Sequence, residues 1–136
     1  MNPDEQPIRE LIANLYRAIC RKDVDGILRH YSPDAVIFNV KPPYQMANDD
    51  RWRRVWETSL AHFPAAFGAE TRDMVVTLSG SLAVAHYLMR FTRLGSQNWL
   101  RETVVFRKEQ GSWKIIHEHS SIPFDPETSK VVFESD

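Results

Sequence analysis

The stretch Trp99 to Pro123, WLRETVVFRKEQGSWKIIHEHSSIP, restricts the fold more than any other segment of this chain. It reads as two strands joined by a tight turn. Thr103, Val104, Val105 and Phe106 give Leu100 to Arg107 the β-branched and aromatic side chains that suit a pleated surface. Trp113, Ile115 and Ile116 do the same for Ser112 to Ser121. Between them, Glu109-Gln110-Gly111-Ser112 is a turn signal, because glycine adopts the positive φ that a hairpin loop requires. Side chains alternate along a strand. Leu100, Glu102, Val104 and Phe106 therefore share one face, and Trp99, Arg101, Thr103 and Val105 share the other. In the second strand Ile116, Glu118 and Ser120 oppose Trp113, Ile115, His117 and His119. Neither face is purely polar. The hairpin is expected to be covered by helices on one side and by another sheet or a second subunit on the other.

The rest of the chain supplies the helices. Pro3-Asp4-Glu5 reads as a helix start, with acids near the positive end of the dipole. Ile8, Leu11, Ile12, Leu15, Ile19 and Cys20 recur at helical spacing, with Tyr16 flanking the stripe. Asp23 reads as the N-cap of a second helix, Val24 to His30. Tyr31-Ser32-Pro33-Asp34 reads as a turn and Ala35 to Val40 as a short strand. Lys41-Pro42-Pro43-Tyr44 breaks that strand, because proline cannot donate to a ladder, and reads as a rim or lid loop. Asn48 or Asp49 caps a third helix to about His62, with Trp52, Val55, Trp56 and Leu60 on one side. The two tryptophans suit either core packing or a pocket wall. Glu70 to Ser79 and Leu82 to Leu94 read as two more strands around Gly80-Ser81. Val131, Val132 and Phe133 make a late apolar patch that could cover part of the fold.

Three helices followed by four long antiparallel strands is an α+β pattern. Helices gathered on one face of a curved sheet leave a conical hollow between the layers, where a small molecule would bind. The 136 residues make one domain's worth, taken as 1–136. With 17 basic and 18 acidic side chains and a net charge of −1, no basic stripe stands out, which argues against nucleic acid as a partner. The Arg51-Trp52-Arg53-Arg54 run is short and suits a solvated helix face. The single Cys20 excludes an internal disulfide framework. No signal stretch or long apolar run is visible, so no membrane partner and a cytoplasmic location are the expectation. The five glycines are scattered singly, without a phosphate-binding loop or dinucleotide fingerprint. No cofactor is expected.

These residues, taken with Ile37-Phe38-Asn39-Val40-Lys41-Pro42-Pro43, Arg101-Glu102-Thr103, Gly111-Ser112-Trp113-Lys114 and His117 through Asp125, resemble the nuclear transport factor 2 superfold. That group includes ketosteroid isomerase, SnoaL-like polyketide cyclases and the calcium/calmodulin-dependent kinase II association domain. The chain is most similar to small SnoaL-like, DUF4440-type proteins, over nearly its whole length. The resemblance implies a cone-shaped curved antiparallel sheet wrapped around three N-terminal helices, a central pocket and a homodimer packed sheet to sheet. It places the isomerase's phenol donor at Tyr16 and its carboxylate base at Asn39, an amide that cannot take a proton in that way. The isomerase's neutral acid falls at Val104 or Thr103, and neither is an acid. One pocket arginine of the kinase domain matches Arg90, while two others fall at Val104 and Ser120. Both comparisons turn the face carrying Glu102, Val104, Glu118 and Ser120 toward the hollow.

Glu102 and Glu118 are the sharpest catalytic candidates, with Tyr16 beside them. Two carboxylates in an apolar hollow cannot both stay ionised cheaply, so one should titrate high and serve as acid or base. The competing reading pairs them with Arg90 or Arg101 as structural ion pairs. Asn39, Trp52, Trp56, Arg90, Val104 and Ser120 are the candidate ligand-binding residues. His117 and His119 lie two apart on one strand face, but a zinc site wants a third protein ligand, so no metal is expected. Ser120-Ser121 lacks the glycine-rich elbow of a hydrolase serine. Two functions follow from the residues. One is a cofactor-independent isomerase, cyclase or dehydratase acting on a small apolar carbonyl compound. The other is a small-ligand-binding or dimerisation module without chemistry.

Overall fold

Apolar residues at helical spacing in the first part of the chain, and alternating ones in the second, fold into helices laid against one concave sheet. A computed structural model describes residues 2–94 and 99–131. Helices α1 (Gln6–Cys20), α2 (Val24–Leu28) and α3 (Asp50–His62) precede the four long strands. These are β3 (Gly68–Ser79), β4 (Leu82–Thr92), β5 (Leu100–Glu109) and β6 (Ser112–Ser121). Two earlier strands, β1 (Tyr31–Phe38) and β2 (Met46–Ala47), extend the sheet to the order β2-β1-β6-β5-β4-β3. Every pairing is antiparallel except that of β1 with β6. A short hairpin of β7 (Phe124–Asp125) and β8 (Lys130–Val131) follows, while Val132 and Phe133 lie outside the described residues. Among the described residues no helix is long and apolar enough to cross a membrane.

The starts of α2 and α3 are fixed by aspartate caps. Asp23 accepts from the Gly26 amide at 3.0 Å and caps α2. A Cβ on Gly26 would come within 2.3 Å of that carboxylate, so only glycine lets the cap close. Asp49, rather than Asn48, caps α3 through the Arg51 amide. In the β5–β6 hairpin, Gln110 and Gly111 take φ of 51° and 82°, the left-handed pair that matches the twist of the flanking strands.

The curvature that opens the hollow comes from bulges. Register slips between Arg72 and Val75 in β3, around Asp73 at φ 57°, and again beside Val105 and Phe106 in β5–β6. An extra residue bends a strand and adds twist. The second bulge also corrects the simple alternation. Phe106 pairs with Ile115 and Val105 with His117, so Ile116 is the extra residue. Ile115, not Ile116, joins Glu118 and Ser120 on the inner face, and it is buried.

The segment Tyr31 to Asp34 is likewise strand rather than turn. Its parallel pairing to β6 recruits it: Tyr31 lies opposite Ile115, and the Ile115 amide donates to the His30 carbonyl at 2.8 Å. Pro33, which has no N–H to give, sits where the register shifts before Val36. The core runs between the helices and the inner sheet face, through Ile8, Ile12, Ile19, Ile27, Ile37 and Phe106.

Candidate functional site

The inner face of the sheet and one stripe of α3 enclose a cavity of about 250 Å³. Trp52, Val55, Trp56 and Ser59 recur along α3 at helical spacing and, with Phe63 just past its end, form one wall. Leu15, Tyr16 and Ile19 of α1 form a second wall, and Met89, Phe91 and Leu100 a third. Asn39, Val40 and Lys41, from the strand end ahead of the two prolines, stand at the rim. The lining is mostly apolar. The polar groups converge on the sheet floor.

That floor holds two buried carboxyls. Glu102 on β5 is 7% exposed and Glu118 on β6 is 9% exposed. Their strand positions are offset by one pair, Glu102 opposite Ser120 and Glu118 opposite Val104, so they are diagonal neighbours on one face. Among the described residues neither meets an arginine. Ser120 Oγ donates to Glu102 Oε2 at 2.6 Å, and the Tyr31 hydroxyl donates to Glu118 Oε1 at 2.6 Å. The Tyr16 and Tyr87 hydroxyls share a hydrogen bond of 2.9 Å behind them, their rings meeting edge to face.

The electrostatics follow from burial with too few charged partners. Burial pushes the Glu118 carboxyl up to about 7, while the Tyr31 hydrogen bond pulls it down. Burial also lifts Glu102 well above the ordinary carboxylate range, the Glu118 charge adds to the lift, and the Ser120 hydrogen bond opposes it. The two carboxyls interact, and charge on one disfavours charge on the other because two adjacent negative charges would face an apolar space. Burial, first of all, raises the Tyr16, Tyr31 and Tyr87 phenols far above their usual value, with the nearby glutamates adding to it. They remain neutral donors.

Of the residues singled out from the sequence, Glu102, Glu118, Ser120, Tyr16, Asn39, Trp52 and Trp56 all line this cavity. Two do not. Arg90 is a correction: it alternates with the buried Met89 and so lies on the outer face. There it meets Glu70 at 3.1 Å and stacks 4.4 Å over the ring of Trp99, which Arg72 also approaches at 4.3 Å. Val104 is on the inner face but 1% exposed, packed into the core beneath the glutamates instead of at the cavity surface. The ion-pair reading of the glutamates also fails, since Arg101 bonds Ser121 on the outer face.

Tyr31 and Tyr87 are the site residues that sequence reading missed. Tyr31 was hidden by the turn-like Ser32-Pro33-Asp34 that follows it. Tyr87 could have been found, because it alternates with Ala83, Ala85 and Met89 along one face of β4. Among the described residues no group of three His, Cys, Asp or Glu side chains gathers to hold a metal.

A curved sheet closed by helices over an apolar chamber with a polar floor defines a protein of the nuclear transport factor 2-like fold. A nuclear transport factor 2-like protein of unknown function from Pseudomonas putida KT2440 shares it at 31% identity and a TM-score of 0.90, over 100% of this chain and 98% of that one. A candidate dehydratase of the same fold family from Streptomyces avermitilis superposes at a TM-score of 0.77 with 16% identity, over 90% and 97% of the two chains. A candidate ketosteroid isomerase from Parabacteroides distasonis gives 0.69 with 19% identity, over 84% and 83%. The SnoaL-like domain model matches residues 8–125, and the chain belongs to the SnoaL-like family. No curated protein matches the sequence.

Proposed function

We propose that the chamber is the active site of a cofactor-independent isomerase, cyclase or dehydratase acting on a small, largely apolar carbonyl compound. One observation carries this: two buried carboxyls, both with raised proton affinity, line the same apolar cavity. Glu118 takes a proton from the carbon next to the substrate carbonyl. Glu102, still protonated, returns a proton to the carbon or departing oxygen at the far end of the conjugated system. Tyr16, backed by Tyr87, donates to the oxygen on which charge develops. The two relatives described as a dehydratase and an isomerase are too distant to carry this reading, which rests on the residues.

The test is turnover with Glu118→Gln and Glu102→Gln. A loss of about 100-fold or more in either supports proton transfer; unchanged rates in both remove it. A second reading, a small-ligand-binding or dimerisation module without chemistry, is favoured by Asn39, an amide where the isomerase carries its base. Thermal-shift screening against hydrophobic acids and enones, followed by ligand mass before and after incubation, separates the two. A homodimer through the outer sheet face belongs to either reading. Val36, Val75, Leu82 and Val84 expose 38%, 47%, 47% and 37% of their surface there. Light scattering that finds a monomer at micromolar concentration would count against it.

A further inference from the structure

The α3 wall carries two polar atoms that the scheme above does not use. Trp52 and Trp56 both line the cavity, four residues apart on one helix face. Trp52 is 2% exposed, and its ring meets Tyr31 at 5.7 Å and Trp56 at 5.5 Å, each edge to face. The indole nitrogens of both are buried, and no acceptor lies in reach of either among the described residues. Buried N–H groups are rarely left so, and one that is calls for a reason. Every polar side chain on the floor opposite, Glu102, Glu118, Ser120 and Tyr31, is by contrast hydrogen-bonded.

We infer that the two indole N–H groups form a subsite for an acceptor oxygen of the ligand. Resting on the reading of this cavity as a ligand site, it narrows the class of compound. An indole N–H only donates. The subsite therefore takes a ketone, aldehyde or carboxylate oxygen and gains nothing from an apolar group in that place. Both nitrogens are covered by neighbouring side chains, so the oxygen reaches them through a rotation of the half-buried Trp56 indole. The size of the cavity limits the body of the ligand. About 250 Å³ exceeds the ~150 Å³ that accepts benzene, and falls below the ~300–1,000 Å³ usual for drug-sized molecules. One ring or two fused rings fit. Because Tyr31 touches both Trp52 and Glu118, the acceptor oxygen lies about one side chain away from the reacting carboxyl.

The experiment uses three bicyclic probes of similar size: 1-tetralone, tetralin and 2-naphthoate. Nitrogen-15 NMR follows the four indole N–H signals, assigned with Trp52→Phe and Trp56→Phe. 1-Tetralone or 2-naphthoate should move the Trp52 and Trp56 indole protons downfield and leave those of Trp99 and Trp113 in place. Tetralin should not produce the downfield movement, and 1-tetralone should bind roughly fivefold tighter than tetralin. Trp56→Phe should erase that preference. The ketone and carboxylate arms show whether the subsite prefers a neutral or an anionic oxygen. Equal affinities with unmoved indole signals, or no saturable binding by any probe, would overturn the subsite. Binding is read without turnover, so loss of activity in Glu118→Gln with unmoved indoles sinks the subsite alone, and the reverse result sinks only the proton transfer.

Discussion

The two faces of the β5–β6 hairpin share one backbone and treat polar side chains in opposite ways. On the inner face Glu102, Glu118 and Ser120 are buried among Val104, Phe106 and Ile115. Each carboxyl there meets a hydroxyl and, among the described residues, no cation. On the outer face Arg101, Thr103 and His119 are exposed, and Phe38 packs edge-on against His117 and His119 at 4.7 and 5.3 Å. The outer groups stand in water. The inner ones are held where charge is costly, and their proton affinity rises as a result. Reactivity in this hairpin therefore belongs to a face, not to a residue type.

The comparison breaks most sharply at Phe106, which is 0% exposed. Phe106→Ala should cost about 3–5 kcal/mol in denaturant unfolding, whereas Val84→Ala on the outer face, 37% exposed, should cost less than about 1 kcal/mol. Similar losses at both sites would mean that the outer face is packed as tightly as the core.

The glutamates give the next largest effect, and its sign depends on pH. Below the unfolded-state value of 4.5 both folded and unfolded chains hold these protons. Between 4.5 and about 7 the unfolded chain has released the Glu118 proton while the folded one has not, so stability falls as pH rises through that window, and the raised Glu102 adds to the fall in the same direction. Glu118→Gln and Glu102→Gln should flatten this dependence and raise stability at pH 8 on the order of 1–3 kcal/mol, with little change at pH 4. Unfolding midpoints measured at the two pH values check it; a variant destabilised at pH 8 would contradict the burial argument.

Tyr31→Phe sharpens the same contrast with a smaller change. The phenol hydrogen bond favours the ionised form of Glu118, so its loss should move that titration above about 7 in carboxyl carbon-13 NMR, with about 1–2 kcal/mol of stability lost. A lower titration point would show that another group controls Glu118. Thr103→Val, between the glutamate-bearing positions but on the outer face, should stay within about 0.5 kcal/mol and leave both carboxyl titrations unmoved.

Much of this was legible in the residues. The periodicity of Ile8 to Ile19, the turn chemistry at Gln110-Gly111 and the alternation of Leu100 to Phe106 are local signals, set by propensity and by side-chain spacing. They suffice for an α+β chain with Glu102, Val104 and Phe106 on one face of a strand, and the resemblance to the nuclear transport factor 2 superfold added the hollow and turned that face toward it. Only the tertiary structure decided which groups meet there. The bulge that turns Ile115 inward beside Glu118, the parallel strand that carries Tyr31 to that carboxyl, and the placement of Arg90 outside on Trp99 depend on pairings between different elements, the farthest 87 residues apart. Spacing within one segment determines the direction of a side chain relative to its own strand. The partner waiting in that direction is supplied by another part of the chain, and its register follows from the packing of the whole sheet.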